Sequence, residues 1–328
     1  MKVCIVGAGA IGGFIGARLA AAGRAEVCAL ARGATLAALH VHGWRLRMGD
    51  HLLQAPARAS VRAAELGPQD VVFIAVKGPA LGAVVGEIAP LLGAQTLVVP
   101  AMNGVPWWFC RDDPALGPAP LQSVDPGGVI ARAVPQSCVI GCVVHASTFT
   151  PEPGLVQHKM GQGLIVGEPT GGKSERVQGL AELLAHAGFE VTHSANVRYD
   201  IWYKLWGNLT MNPLSALTGA TIDRILADPL LREFCSAAML EAAAIGERVG
   251  CRIAQSPEDR HAVTAKLGAF KSSMLQDVEA GRAIELDAIV GAVQEIGQRL
   301  GLATPNIGAL LGLIRLFGRV RGLYPLQP

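Results

Sequence analysis

The chain opens on Met-Lys-Val-Cys-Ile-Val-Gly-Ala-Gly-Ala-Ile-Gly-Gly, in which Val3–Val6 run directly into Gly7, Gly9 and Gly12 at G-x-G-x-x-G spacing. An alanine-rich stretch, Phe14 to Ala22, continues at helical period. Few arrangements satisfy a short buried strand, a glycine turn and a helix in that order, and each glycine has a mechanical reason. Gly7 permits the tight strand-to-helix turn. Gly9 removes the Cβ that would keep a pyrophosphate away from the backbone, and Gly12 lets the helix pack closely on the sheet. The first-turn N–H groups then face the phosphates, with the positive end of the helix dipole behind them. A chain with 40 glycines contains chance matches to the spacing, but its place after Val3–Val6 makes this one specific. The stretch Gly7, Ala8, Gly9, Ala10, Ile11 and Gly12 is therefore read as the phosphate cradle of a dinucleotide-binding domain.

The end of the second strand says which dinucleotide. An Asp or Glu there takes the ribose hydroxyls of NAD, whereas a basic residue accommodates a 2′-phosphate. Glu26–Leu30 reads as that strand and runs out into Ala31-Arg32-Gly33, so Arg32 stands where an acid would and Glu26 lies at the wrong end. The plain alternative is an ordinary exposed loop arginine. The pattern favours NADP(H).

At 328 residues the chain has room for two domains with separate cores. It is 51% apolar and 16% charged, a composition for burial and not for disorder. A net charge of +2 without a Lys/Arg run argues against nucleic-acid or membrane-surface partners. Lys2 followed by an apolar stretch imitates a secretory signal, but the glycines and Arg18 suit a nucleotide turn better. The apolar stretch Ile307 to Phe317 is short and contains Arg315, so no membrane span is expected. Seven scattered cysteines, with no C-x-x-C pair and with Cys138 and Cys142 alternating along a strand pattern, predict free thiols in a reducing cytoplasm.

Strand and helix patterns alternate through the first half, which predicts a mostly parallel sheet in an α/β Rossmann-type domain. Asp70–Lys77 reads as a buried strand, Pro79–Leu92 as a helix, and Gln95–Pro100 as a strand ending at the turn 101–106. Arg111–Gly128 is Pro/Gly-rich and looks too irregular for a core element. Strand patterns return at Cys138–Thr150, Leu155–Met160 and Leu164–Gly167, then a helix at Ser174–Ala187 and a strand at Phe189–His193. From about Ala195 the period becomes helical: Val197–Leu217, Pro229–Val249, Pro257–Leu267, Ser272–Ala280, Glu285–Leu300 and Pro305–Arg319. The expected division is 1–194, NADP-binding, and 195–328, an all-helical substrate and catalytic domain. Ligands of open parallel sheets bind beyond the carboxyl ends of the strands, which puts the expected site in a cleft against the helical domain.

Along Val197–Leu217 the polar residues Asp200, Lys204, Asn208 and Asn212 recur every four positions among Ile201, Trp202, Leu205, Trp206, Leu209 and Met211. Four residues turn a helix by about 400°, so these side chains form one slowly drifting stripe. Either the stripe is the solvent face of an amphipathic helix, with Asp200–Lys204 as an ion pair, or it lines a wet cleft and binds a polar ligand. Asn212-Pro213 is expected to end or bend the helix. A second cluster, Lys271-Ser272-Ser273-Met274-Leu275-Gln276-Asp277 followed by Glu285-Leu286-Asp287, has ordinary explanations: Ser272 as a helix cap and Glu285 as a first-turn acid.

Together the glycine turn, Asn103-Gly104, Lys204-Leu205-x-x-Asn208-x-x-x-Asn212-Pro213-x-x-Ala216-Leu217, and Ser272–Asp277 with Glu285-x-Asp287 resemble the ketopantoate reductase family, in matching order across essentially the whole chain. That resemblance implies an NADPH-dependent oxidoreductase that reduces 2-dehydropantoate to pantoate on the way to coenzyme A. By position it implies that Lys77 and Asn103 contact the nicotinamide half of the cofactor and that Arg32 meets the 2′-phosphate. It makes Lys204 the proton donor, and Asn103, Asn208, Asn212 and Ser273 substrate ligands. Glu285 would hold the cofactor ribose or orient the lysine, as a second catalytic group. Ser147 is a weaker match near the cofactor position.

The chemistry agrees with those roles. Hydride addition to a 2-keto carbonyl builds negative charge on oxygen, and a cation placed there stabilises the transition state and can deliver the proton. No metal is expected, because the eight histidines form no ligand constellation. Three features depart from the pantoate-forming pattern: Trp107-Trp108 either narrow the pocket or pack their loop, Ile284 stands where a threonine is expected, and Arg111–Gly128 looks inserted. They leave open a paralogue acting on another small or branched 2-keto acid, and a non-catalytic NADP(H) sensor is the third reading. Apolar helices such as Ile307–Phe317 either cover a homodimer interface or close the helical core.

Overall fold

The structure is a computed structural model and describes residues 1–326. The chain packs as two compact units, Met1–Met102 with Val129–Asp200, and Asn103–Gly128 with Ile201–Pro328.

The first unit begins β1 (Lys2–Val6), α1 (Ala10–Ala22), β2 (Glu26–Leu30), α2 (Gly33–His42), β3 (Trp44–Met48), β4 (His51–Ala55) and β5 (Arg58–Ser60). It goes on with α3 (Ala63–Leu66), β6 (Gln69–Ile74), α4 (Gly78–Val85) and β7 (Leu92–Pro100). After residue 128 come α5 (Val129–Ala133), β8 (Gly141–Glu152), β9 (Leu155–Gly167), α6 (Glu175–His186) and β10 (Glu190–Ser194). One sheet has the order β5-β2-β1-β6-β7 and is parallel throughout, so the carboxyl ends of β1, β2, β6 and β7 share one edge. Its inner strands are apolar on both faces, as a doubly covered sheet requires.

A second sheet, β10-β9-β3-β4 with β8 on β9, adds to the expected parallel one, and in it β3–β4 and β8–β9 pair antiparallel. The stretches Leu155–Met160 and Leu164–Gly167 are one strand, with Gly161 at φ 75° carrying the chain past an irregularity opposite His145–Ser147. Trp44 and Leu46 are buried while Arg45 is half-buried and Arg47 exposed, a period-two alternation that marks β3. Helix α1 is held between the sheets: a Cβ on Gly12 would lie 2.9 Å from Ile5, one on Gly13 2.6 Å from Val156, and one on Gly16 2.5 Å from the Trp44 ring. Phe14, Ile15 and Leu19 fill the shared core with Phe73, Leu164 and Val177. Helix α4 stops at Val85, short of the expected Leu92, since Gly82, Gly86 and Pro90 weaken a continuous helix; a 3₁₀ turn, Ala89–Leu91, follows.

The second unit contains α7 (Val197–Thr218), whose first turn belongs to the first unit, then α8 (Ile222–Ala227), α9 (Pro229–Arg248), α10 (Pro257–Ala265) and α11 (Ser273–Glu279). A π-helical turn, Asp287–Gly291, leads into α12 (Ala292–Arg299), and α13 (Pro305–Val320) follows. Helix α7 continues through Pro213, so that residue does not end it. The helix expected from Glu285 starts later, at the π turn, and Ser272 stands outside α11 as its cap, accepting from the Leu275 amide at 3.1 Å. On α13, Ile307, Leu310 and Ile314 are buried while Leu313, Leu316 and Val320 are exposed. The helix therefore closes the core with one face and leaves an apolar edge on another.

The irregular segment Arg111–Gly128 forms no helix or strand beyond a short 3₁₀ turn, Pro126–Gly128, as its composition predicts, but a few residues in it and just before it are buried. Trp107, Trp108, Phe109, Leu121 and Asp125 are all buried, and Phe109 stacks on Trp202 at 5.7 Å. Trp107 and Trp108 are thus buried with their loop. The far end of the segment is strapped to α12 by Glu295, which accepts the Gln122 and Ser123 amides at 2.8 Å each, the Ser123 hydroxyl at 2.6 Å and an Arg299 N–H at 2.5 Å. Arg299 also donates to the Ala119 carbonyl at 2.8 Å. Burial pushes the Glu295 carboxyl up, but Ser123, Gln122 and Arg299 together hold it below the usual range. A depressed folded-state pKa stabilises above the unfolded value, about 4.3, and that contribution fades as pH falls through the folded value. Glu295→Ala is accordingly expected to cost about 3 kcal/mol at neutral pH. The gap in melting temperature between wild type and variant should shrink on acidification below the ordinary glutamate range. A gap that stays constant from neutral to acid pH would remove the carboxylate from the account.

Among the described residues no helix is long and apolar enough to cross a membrane. None of the seven cysteines is joined in a disulfide; Cys138 is half-buried and the others are buried.

Candidate functional site

In the first unit the glycine turn has the geometry its spacing predicts. Gly7 adopts φ 90°, donates its amide to Leu30 at 3.1 Å, and would bring a Cβ within 2.7 Å of Val76. A Cβ on Gly12 would lie 2.1 Å from the Gly7 carbonyl oxygen, so any larger residue there would displace the turn itself. Gly9 differs: it caps α1 at φ −81°, it is exposed, and a Cβ built on it meets no atom within 4 Å. The backbone is thus bare at the one position where a pyrophosphate needs it, above the N-terminus of a 13-residue helix. Ala8 and Gly12 are buried, whereas Ala10 and Ile11 are half-buried beside that opening. These features fit a dinucleotide.

Two further positions lie on the same carboxyl-end edge of the parallel sheet. Arg32 follows β2, caps α2 in extended conformation (φ −141°) and is exposed, with no acid in the Ala31-Arg32-Gly33 exit. Lys77 follows β6 and caps α4 at φ −68°, half-buried. Asp200, the first member of the polar stripe, turns to β10, where it accepts from the Ser194 hydroxyl. Burial pushes the Asp200 carboxyl up, against the lowering effect of that bond.

The remaining candidates belong to the second unit. The rotation of α7 is set by two indole pegs on α9: Trp202 Nε1 donates to Ala242 at 3.2 Å and Trp206 Nε1 to Met239 at 2.7 Å. With Trp202, Leu205, Trp206 and Leu209 inward, the row Lys204, Asn208, Asn212 comes to lie elsewhere on the helix. It is not a solvent face: Lys204 and Asn208 are half-buried and Asn212 is only 6% exposed. Lys204 Nζ donates to Asn103 Oδ1 at 2.8 Å, across 101 positions of sequence. Asn103 is presented by a turn whose next residue, Gly104 at φ 83°, lies against Ala288 so closely that a Cβ would meet its carbonyl oxygen at 2.3 Å. The Val105 amide donates to that same oxygen at 2.8 Å.

The second motif meets the first at Asn212. The buried Ser272 hydroxyl lies 3.5 Å from the Asn212 carbonyl oxygen, to which it donates, and Ser273, next in sequence, is exposed at the start of α11. Asp277 is buried and accepts from Arg282 at 3.0 Å. Glu285 is half-buried between Ile284 and Leu286, both buried. Ile284 donates its amide to Leu323 at 3.0 Å and packs against α13, 3.0 Å from where a Cβ on Gly318 would stand. Its apolar side chain is therefore a packing residue. Ser147, on β8, is half-buried opposite Met160. Among the described residues no group of three or more His, Cys, Asp or Glu side chains is placed to hold a metal ion. The Glu295 strap and the bond from Tyr324 to Asp287 were not anticipated from the sequence; the S-x-D and acid–arginine spacings around them are too common to signal either.

Comparison with known proteins matches residues 3–171 to the family model described as ketopantoate reductase PanE/ApbA, and residues 196–317 to its C-terminal counterpart. A 2-dehydropantoate 2-reductase from Mesorhizobium japonicum is 45% identical over 326 residues, covering 99% of this chain and 100% of the relative. Among solved structures, a candidate ketopantoate reductase from Ralstonia solanacearum MolK2 superimposes with a TM-score of 0.95 at 55% identity, covering 98% of this chain and 99% of the other. The 2-dehydropantoate 2-reductase from Methylococcus capsulatus gives 0.82 at 27% identity, with 99% of each chain covered.

Proposed function

The chain belongs to the ketopantoate reductase family, and from that premise we propose that it is an NADPH-dependent oxidoreductase reducing 2-dehydropantoate to pantoate. The observation that carries the reading is the 2.8 Å hydrogen bond from Lys204 Nζ to Asn103 Oδ1. It joins a cation that can supply a proton to a side chain that aims it, on a helix whose other polar residues, Asn208 and Asn212, can bind a 2-keto acid's oxygens. The relative from Mesorhizobium japonicum, named for this activity and similar over its whole length, supports the choice of substrate.

When bound, the nicotinamide supplies the hydride. The chain does the rest. The first-turn amides after Gly9 would hold the pyrophosphate, Arg32 would pair with the 2′-phosphate, and Lys77 would serve the nicotinamide half. Lys204 holds its proton at Nζ and gives it to the carbonyl oxygen as charge develops there, an interaction stronger in the transition state than in the ground state. Asn103 accepts from Lys204 and so limits its rotamers. Asn208, Asn212 and Ser273 fix the substrate's oxygens, and Glu285 orients the lysine or the cofactor ribose. Ile284 and the two tryptophans, which pack the second unit, offer no argument against 2-dehydropantoate.

Turnover followed by nicotinamide absorbance tests the reading. The enzyme is expected to prefer 2-dehydropantoate to pyruvate and 2-ketoisovalerate, and NADPH to NADH. Removing the Arg32 guanidinium in Arg32→Ala takes away a charge-assisted contact of roughly 2 kcal/mol. KM for NADPH should therefore rise by about thirtyfold while that for NADH barely moves. Cofactor binding without turnover of any acid would instead indicate a sensor, and equal loss for both cofactors would separate Arg32 from the 2′-phosphate.

A further inference from the structure

The C-terminal segment after α13 folds back on the residues that bracket Glu285. Gly322, at φ 67°, reverses the chain so that Leu323, 6% exposed, donates its amide to Gly318 at 2.8 Å. The Leu323 carbonyl then accepts the Ile284 amide at 3.0 Å, one residue before Glu285. Two residues after it, Asp287 Oδ1 accepts the Tyr324 hydroxyl at 2.5 Å. Gly318 makes the closure possible, since a Cβ there would lie 2.8 Å from Tyr324 and 3.0 Å from Ile284. Arg319 finishes the segment by donating to the Pro325 carbonyl at 3.0 Å, with its guanidinium 5.8 Å from the centre of the Tyr324 ring.

Asp287 is also the first residue of the π turn, and its carbonyl accepts the Ala292 amide across that wide turn. The next carbonyl, Ala288, is the one that holds the Val105 amide and so sets the turn presenting Asn103. Single π turns are costly and recur at functional sites. This one has Glu285 just before it, the Asn103 turn against its second residue, and the Tyr324 hydroxyl on its first.

We propose that Tyr324 is a positioning residue, which through Asp287 and the π turn fixes Glu285 and the Asn103–Lys204 pair for proton delivery; the inference rests on the site reading given above. Burial and the neighbouring Asp287 carboxylate push the Tyr324 phenol up, so the hydroxyl stays a donor over the working pH range. Its effect passes through Asp287, to which its hydroxyl donates, and the backbone that this contact restrains.

The test is steady-state reduction of 2-dehydropantoate by NADPH with wild type, Tyr324→Phe, Asp287→Ala, Asp287→Asn and the Tyr324→Phe/Asp287→Ala double variant, each with its melting curve and the pH profile of kcat. Misplacing catalytic groups by less than an ångström supports an expected fall in kcat of about tenfold or more for Tyr324→Phe, with KM for NADPH little changed. The pH profile should shift, because the environment of Lys204 changes with the groups around it. Asp287→Asn, which keeps an acceptor for the hydroxyl, should lose less than Asp287→Ala. In the Asp287→Ala background Tyr324→Phe should cost nothing further, since the two act as one unit. A Tyr324→Phe enzyme with unaltered kcat and pH profile overturns the proposal, as does a melting temperature that falls while both kinetic readouts hold. Additive losses in the double variant overturn it too. Wild-type protein that turns over no 2-keto acid would overturn the site reading and this inference together, which distinguishes that outcome from the others.

Discussion

Lys204→Ala is expected to leave NADPH binding nearly intact and to lower kcat by roughly 10²–10⁴-fold, the range over which a positioned general acid acts. The separation follows from where the side chain goes. Its ammonium donates to Asn103 at 2.8 Å, on the turn that follows β7, while the bare backbone at Gly9 and the exit of β2 at Arg32 are formed by other residues. Cofactor affinity should therefore survive its removal, as read by quenching or shift of nicotinamide fluorescence. Lys204→Gln sharpens the point. Its amide can still donate to Asn103, so the local geometry is kept, but it has no proton to give and no charge to oppose the developing alkoxide. If the two variants lose activity alike, proton delivery and charge account for the lysine. If Lys204→Gln retains most of kcat, the residue only positions, and unchanged kcat in Lys204→Ala would falsify any role in the reaction.

Both the polar row on α7 and the fold around it were legible because their signals are local. Gly7 and Gly12 each answer to a contact within a few residues or with an adjacent strand, so spacing alone predicts the turn. The four-residue recurrence of Lys204, Asn208 and Asn212 survives folding because α7 is one uninterrupted helix. Asp200 shares the period but not the row's environment, since its partner Ser194 lies on the preceding strand, and periodicity carries no information about partners. What irregularity hides is where a segment is anchored. The segment Arg111–Gly128 lacks any period, yet Leu121 and Asp125 are buried and Glu295 satisfies two of its amides. Backbone groups can be buried without a helix or strand if a distant carboxylate meets them, and no pattern within the segment records that carboxylate. Pro213 does not end α7, because a buried helix tolerates a lost amide bond when its side chains are held by neighbours, here the Trp202 and Trp206 pegs on α9.

The sharpest division of labour lies within the glycine turn itself, and a pair of one-methyl substitutions should expose it. In Gly12→Ala the new Cβ would stand 2.1 Å from the Gly7 carbonyl oxygen and 3.0 Å from Ala75, so α1 must move off β1 or the turn must open. Backbone cannot yield as a flexible side chain does. Overpacking of this kind costs about 3 kcal/mol or more, which for a unit of this size lowers the melting temperature by roughly 6–12 °C. Gly9→Ala places the same methyl where nothing lies within 4 Å, at φ −81°, a conformation any residue adopts. Its melting temperature should be indistinguishable from wild type. Yet the methyl fills the space a pyrophosphate must enter to reach the first-turn amides, and losing one or two of those charge-assisted bonds weakens NADPH binding by about a hundredfold or more. Stability and cofactor affinity are thus expected to part company across three residues of one loop. Measured by thermal melts and by titration with NADPH, a Gly9→Ala protein that binds as tightly as wild type would mean that the phosphates approach elsewhere. The empty space above Gly9 would then have no part in recognition, whatever Gly12 contributes to the fold.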